Sequence, residues 1–492
     1  MSLGLFIFRR DFRLVDNEAL HELQNKVDRI VPIFIFDPFQ VNKTKENRNY
    51  RSEPAIHFMI ESLMELNKKL KQKKSQLYVY YGKPSKIVEK IIQNNRSISH
   101  IGFNADYSRY SIERDGSLIQ LAFDLDLEPV IGMSDLILHK YDEVLTGDGD
   151  PYKTFGGYYK RAVKLKVPKP KNETLRFVTG SISISMSLPK SDRITLTQAL
   201  KKFGSSKDLF PDLIQRGGRE EGLKLLRNMK RRFNKYHLRR NEMGYETTRL
   251  SPHLKFGTIS IREAYRAMKK IGGEGEKTLI RQLYWRCFYF ILAKYQDLET
   301  RYGHIDIRFK KVRWTKGKKL NDWGEKLWTG QTGFPTIDAA VRQLNATGWM
   351  QNRGRLIVAN FSVKILGIDP FGTGKWAGQS YFSKKLTDCC YGNNYGNWMW
   401  ILGPYDTGGY RFGKKATVGG RVFRDIVKFQ KWDPDLKFVR KWLPELDDVP
   451  DKDLANWDKK YKNYDVDYPN PMVDFNKQVN AWYEKTKKSK LT

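Results

Sequence analysis

Cysteine is nearly absent from this chain: its 492 residues contain three, Cys287, Cys389 and Cys390, two of them adjacent. That excludes a disulfide framework and a paired-cysteine zinc site, and it fits a reducing compartment. No metal site is expected. Long apolar runs are missing as well. The opening MSLGLFIFRRDFRL meets a charge cluster after a few apolar residues, and no later segment has the length of a membrane span. The chain therefore reads as soluble and intracellular, with no membrane partner. No Gly-x-Gly-x-x-Gly follows the first expected strand, so the N-terminal region lacks a dinucleotide fingerprint. Acid is the scarce charge: 55 Asp and Glu stand against 89 Lys and Arg, a formal +34. An excess that large goes beyond what solubility needs and favours a polyanionic partner, with a solvated lysine-rich surface as the plainer alternative.

The chain is longer than one hydrophobic core usually holds, so two domains are expected. Residues 1–130 alternate apolar runs with helical patterns, the sequence form of an α/β doubly wound parallel sheet. The expected strands are Leu3–Phe8, Ile30–Phe36, Leu77–Tyr81 and Ile98–Phe103, with helices over Ala55–Lys71, Ser85–Gln93 and Ile112–Leu125. Residues 131–205 read as a connector, broken by Pro151, Pro168, Pro170, Pro189 and the SISISMS tract. From 206 to 475 the period becomes helical, and an all-α domain is expected. Its helices are placed at Glu221–Tyr236, Ile261–Met268, Leu279–Tyr295, Thr336–Asn345 and Asn352–Ile365, ahead of a basic tail at 476–492. Within it, Thr247, Thr248, Arg249, Leu250 and Ser251 gather hydroxyl and amide donors just before Pro252. Such a cluster is either a helix cap or a cradle for a pyrophosphate.

Seven segments carry a resemblance. They are FIFRRDFRLVDN (6–17), YHLRRNEMGYETTRLSPHLKFG (236–257), QLYWRCFYF (282–290), GFPTIDAAVRQLNATGWMQNR (333–353), DCCYGNNYGNWMW (388–400), RKWLPEL (440–446) and DYPNPMV (467–473). In order and spacing they resemble the cryptochrome/photolyase family over nearly the whole chain, most closely the photolyases that split cyclobutane pyrimidine dimers. The resemblance implies a helical FAD-binding domain and a light-driven lyase acting on UV-damaged DNA as a monomer with no obligate protein partner.

Carried over residue by residue, it assigns FAD binding to Tyr236, Thr247, Thr248, Arg249, Leu250, Ser251, Asn352, Arg355, Asp388, Cys390 and Asn394. Asn394 stands opposite flavin N5, where repair enzymes mostly have Asn, plant light receptors Asp and insect ones Cys. Cys390 replaces a second Asp found in many relatives. Trp285 and Trp400 match the tryptophans that sandwich a flipped-out dimer, and Trp398, Trp376 and Trp314 match a three-tryptophan electron path. Arg240 and Arg353 match arginines that contact lesion or phosphate. The Gly-rich stretch GPYDTGGYRFGKKATVGGRVF (403–423) is longer than in relatives, and with Arg411, Lys414, Lys415, Arg421 and the following Arg424 it reads as a DNA-gripping loop.

Lesion choice rests on four positions. Gln282 stands where dimer-specific enzymes commonly have Glu and (6-4) photolyases Gln, which favours a (6-4) photolyase as the rival reading, and Leu356 replaces a Met that often touches the lesion. Against it, Gln351–Asn352 replaces the His–His pair of that class, and glutamine donates no proton at any relevant pH. A cryptochrome-type photoreceptor is a further rival, as is a basic nucleic-acid binder without chemistry. For an antenna chromophore, Tyr110 and Ser111 occupy the positions of a folate-binding Asn–Glu pair. That argues against folate and leaves a deazaflavin, a second flavin or none.

Overall fold

The computed structural model describes residues 1–44, 51–180, 186, 188–205, 210–295, 312–372, 374–402 and 421–487. Strand β1 (Leu3–Phe8) is buried at every position and β2 (Arg29–Phe36) at all but its first. Unbroken apolar runs of this kind belong to strands covered on both faces. With β3 (Tyr78–Tyr81), β4 (Ile98–Asn104) and β5 (Glu128–Gly132) they form one parallel sheet in the order β3-β2-β1-β4-β5. The helices Glu53–Gln72 and Arg109–Asp124 start where Ser52 and Ser108 accept the backbone N–H groups of Ala55 and Ser111. Helix Glu18–Gln24 and strand β5 were not expected from the sequence. The strand runs past residue 130, so the sheet ends slightly beyond the expected boundary.

The segment expected as a connector contributes to both cores. Phe177 bridges Ile30 in parallel beside β2, helix Leu196–Phe203 packs on Glu53–Gln72, and helix Phe155–Ala162 packs on the long Gly273–Tyr295 helix. Most of the SISISMS tract lies outside the described residues. In the helical half, the single helix expected over Glu221–Tyr236 is divided into Arg219–Arg227 and Met229–Phe233. Asn228 lies at the break, where its side chain donates to Lys224 O at 2.9 Å in competition with the helical ladder. The helix expected over Asn352–Ile365 is α-helical to Asn360 and then a π-turn over Phe361–Ile365.

The N-terminal FRRDFR word joins the two halves. Arg10 leaves the end of β1 and donates to Asp106 at 2.7 Å, to Lys255 O at 3.0 Å and to Cys390 Sγ at 3.4 Å. Arg13 bonds Asp135 at 2.5 Å and Gly257 O at 3.1 Å, while Phe12 stacks on Phe256. A buried guanidinium is costly unless it is paired, so these ion pairs and hydrogen bonds fix how the sheet meets the helical half.

Candidate functional site

Residues between Asn352 and Ile401 line one cavity. Its lining includes Asn352, Arg355, Asp388, Cys390, Asn394 and Trp398, six of the residues expected to serve a flavin. Asp388 is the electrostatic centre. Its Oδ2 accepts the Ser251 hydroxyl at 2.6 Å and Arg355 Nη2 at 2.9 Å, and Arg355 Nε is itself held by Met350 O at 2.8 Å. Burial alone would raise the Asp388 pKa, but the Arg355 charge, its hydrogen bond, the Ser251 bond and the Lys255 charge together hold it below the usual carboxylate range. The other oxygen, Oδ1, is buried with no hydrogen-bond partner among the described residues. An ionised carboxylate with one orphaned oxygen at a cavity wall is a site that a polar ligand completes.

Asn394 lies on the Tyr391–Leu402 helix and faces the Gly378–Lys385 helix packed against it. Its Nδ2 donates to Gln379 O and to Ser383 Oγ, both at 3.0 Å. Cys389 Sγ donates to the same hydroxyl at 3.5 Å, and burial pushes its thiol up to about 11, so it is a weak nucleophile. Cys390 accepts from Arg10. Lys255 donates to Thr387 O at 3.1 Å, and burial lowers its ammonium to about 8.

Trp398 is 2% exposed, meets Phe382 edge-on at 5.2 Å and packs over Gly378, where any side chain would overlap the indole. Trp376 follows two residues before that glycine and donates its indole N–H to Asn321 at 3.0 Å. Trp314 is 6.2 Å from Trp482. Trp285 is half-buried and lies flat on Phe155, with centroids 3.6 Å apart and planes 6° from parallel. Its helix packs against the helix of Trp400, which is also half-buried. Gln282 is turned back on its own helix, donating to Thr278 O at 3.1 Å.

Gln351 is fully buried. Its amide donates to Arg240 O at 2.8 Å and to Glu242 O at 3.3 Å, and its oxygen caps the Arg353 N–H at the start of the Asn352–Asn360 helix. Arg353 bonds Asn241 at 2.6 Å and lies 4.1 Å from the Trp432 ring, and Arg424 is exposed. Arg421 is exposed and its carbonyl accepts from Asn360 and Lys364. Arg411, Lys414 and Lys415 lie outside the described residues.

The Thr247–Ser251 segment reaches the cavity through the Ser251 hydroxyl. Arg249 has φ 52°, a conformation that a non-glycine residue holds only at a cost of about 1–3 kcal/mol, and its Nε is buried without a partner among the described residues. Leu250 and Tyr236 are both buried, 2% and 9% exposed. Sequence reasoning missed Ser383, Phe155, Lys255 and Arg10. Arg10 and Lys255 stand inside recognisable words but had no role assigned to them, and Ser383 and Phe155 stand in none; packing brings all four to the site.

Residues 279–488 match the family model described as the FAD binding domain of DNA photolyase, and residues 5–174 match the one described as DNA photolyase. Among curated proteins, the deoxyribodipyrimidine photo-lyase of Streptomyces griseus is 28% identical, the alignment covering 91% of each chain. Among solved structures, the archaeal photolyase from Sulfolobus tokodaii with two FAD molecules is 34% identical with a TM-score of 0.81, over 99% of this chain and 100% of that one. A cryptochrome from Synechocystis sp. PCC6803 is 25% identical with a TM-score of 0.83, over 99% of both. Among the described residues no helix is long and apolar enough to cross a membrane.

Proposed function

The chain belongs to the DNA photolyase family, and from that membership we propose that it is a light-driven DNA repair enzyme, a deoxyribodipyrimidine photolyase acting on cyclobutane pyrimidine dimers. The observation that carries the reading is the Ser251–Asp388–Arg355 cluster, with one carboxylate oxygen accepting two hydrogen bonds and the other buried and without a partner among the described residues. That donor set fits FAD. Reduced FAD supplies the light absorption and the electron that opens the cyclobutane ring.

The protein's own residues supply the rest. The fixed Arg355 cation offsets negative charge on the ring, Asp388 orients that cation, and Asn394 offers an amide that cannot hand over a proton. Tyr236, Thr247, Thr248, Arg249 and Leu250 hold the phosphate end through hydroxyls and main-chain amides. Trp285 and Trp400 grip the extruded dimer by stacking, and Phe155 keeps the Trp285 plane fixed. Trp398, Trp376 and Trp314 form the path that resupplies an electron. Arg240 and Arg353, with the basic residues 411–424, neutralise phosphates.

A cyclobutane dimer needs only an electron, whereas a (6-4) lesion also needs a proton donor. The Gln351 amide is buried and spent on main-chain carbonyls, which favours the first substrate. The likeness to the Synechocystis cryptochrome keeps a photoreceptor as the second reading, and Asn394 weighs against it. For the antenna, Tyr110 donates to Asp37 and stacks on Phe39 at 5.1 Å, which occupies it away from a folate, and the two FAD molecules of the Sulfolobus tokodaii photolyase favour a second flavin. The test is blue-light irradiation of the reduced, flavin-loaded protein with two oligonucleotides, one carrying a cyclobutane thymine dimer and one a (6-4) photoproduct. Restoration of the first alone supports the reading. Restoration of the second overturns the lesion choice, and restoration of neither moves the photoreceptor forward.

A further inference from the structure

Three donors converge on one small hydroxyl beside the cavity. Ser383 is 6% exposed; its Oγ receives Asn394 Nδ2 at 3.0 Å, and Gln379 Nε2 at 3.4 Å and Cys389 Sγ at 3.5 Å compete for its second lone pair. Gln379 and Ser383 are four residues apart on the Gly378–Lys385 helix, so the Gln379 carbonyl and the Ser383 hydroxyl face Asn394 together. We infer that Ser383 is a positioning residue that fixes the Asn394 amide with its carbonyl oxygen, rather than its NH2, turned to the cofactor ring. The inference rests on the flavin reading above.

The orientation follows from the partners. Gln379 O is a main-chain carbonyl and can only accept, so the Asn394 atom that faces it is the nitrogen. The second amide proton goes to Ser383. With both protons spent, Oδ1 is the atom left for a ligand. The direction of that amide has chemical consequences at flavin N5. An oxygen accepts from a protonated N5 and so favours the reduced cofactor, whereas an NH2 donates to an unprotonated N5 and favours the oxidised one. Without the Ser383 hydroxyl, one amide proton has no partner, and rotating the side chain by half a turn becomes competitive.

The experiment compares wild type, Ser383→Ala and Ser383→Thr as FAD-loaded protein. The readouts are the reduction midpoint of the bound FAD and the dark rate at which the reduced form reoxidises in air. Ser383→Ala is expected to reoxidise about fivefold faster, the scale of one net hydrogen bond, and to shift the midpoint toward easier oxidation. Ser383→Thr, which keeps the hydroxyl, is expected to match wild type. A merely structural role would alter thermal stability and leave both readouts unmoved. A second measurement needs no cofactor: with 15N-asparagine labelling, the Asn394 side-chain amide protons are protected from exchange in wild type and lose protection in Ser383→Ala. Wild-type reoxidation together with unchanged protection overturns the inference. Should Ser383→Ala fail to load FAD, the exchange measurement decides. Wild-type protein that binds no FAD sinks the flavin reading itself, a result distinct from either.

Discussion

The Tyr468 hydroxyl donates to Asp338 Oδ2 at 2.6 Å, which joins the DYPNPMV segment to the GFPTID turn 130 residues earlier. Asp338 also accepts the backbone N–H groups of Thr332 and Gly333, both at 2.9 Å, and the Thr332 hydroxyl at 2.7 Å. Gly333 has φ +75°, and a Cβ there would overlap the main chain at Asn470. The GFPTID and DYPNPMV words therefore specify a folded joint, and the Asp338 carboxylate at its centre is structural. Burial raises the Asp338 carboxyl to about 6 in spite of these four donors.

Removing one donor tests that joint. Tyr468→Phe leaves a buried carboxylate with one bond fewer, and bonds to charged groups are worth about 1.5–3 kcal/mol. Urea unfolding at pH 7.5 should show a loss of that order, with FAD content unchanged in the protein that remains folded. A loss confined to FAD content would mean that the joint serves the cofactor directly.

Stacking at Trp285 gives a second expectation. Trp285→Ala and Trp400→Ala should each weaken binding of dimer-containing DNA by about 1–3 kcal/mol, while binding to undamaged DNA stays within error. Trp285→Phe keeps a flat ring on Phe155 and should lose less than the alanine variant. Titration of a labelled duplex with and without the dimer, at one fixed salt concentration, separates the two effects. Equal weakening on both duplexes would argue against lesion stacking.

Much of this architecture was legible before the structure, and the reasons differ by element. β1 and β2 stood out because strands covered on both faces are written as unbroken apolar runs, and β3 and β4 through their β-branched and aromatic residues. β5, EPVIG, is a half-exposed edge strand, and EALHELQ spans only two turns, too short to display a helical period. At the site, Arg355, Asp388 and Asn394 were recognisable through family resemblance, since an isolated Arg, Asp or Asn carries no chemical signature. Ser383 and Phe155 had no such guide. Phe155 belongs to a stretch that prolines and glycines mark as a connector, and only packing brings it flat against Trp285.

Arg353 offers a test of the electrostatic surface. It is anchored by Asn241 and by the Trp432 ring, so its guanidinium is held in place before DNA arrives. Arg353→Gln should lower affinity for damaged and undamaged duplexes alike and reduce the slope of log K against log salt by about 1. An unchanged slope with lower affinity for the dimer alone would make Arg353 a lesion contact.

Lys364 gives a pH dependence whose sign can be worked out. It is 3% exposed in the π-turn and donates to Arg421 O at 2.9 Å, and burial alone lowers its ammonium to about 7. In the unfolded chain a lysine titrates near ~10.4. Between those two values the unfolded state binds more protons than the native state, so wild-type stability gains from this residue as pH rises through that window. Below pH 7 the charged form is buried and costs stability. Lys364→Met removes both the cost and the pH dependence, and loses one hydrogen bond worth about 1 kcal/mol. Denaturant unfolding at pH 6.5 and pH 9.5 should therefore show the variant gaining on wild type at the lower pH and losing ground at the higher. The same difference at both pH values would mean that the Lys364 ammonium keeps an ordinary affinity for its proton, held by more than the Arg421 carbonyl.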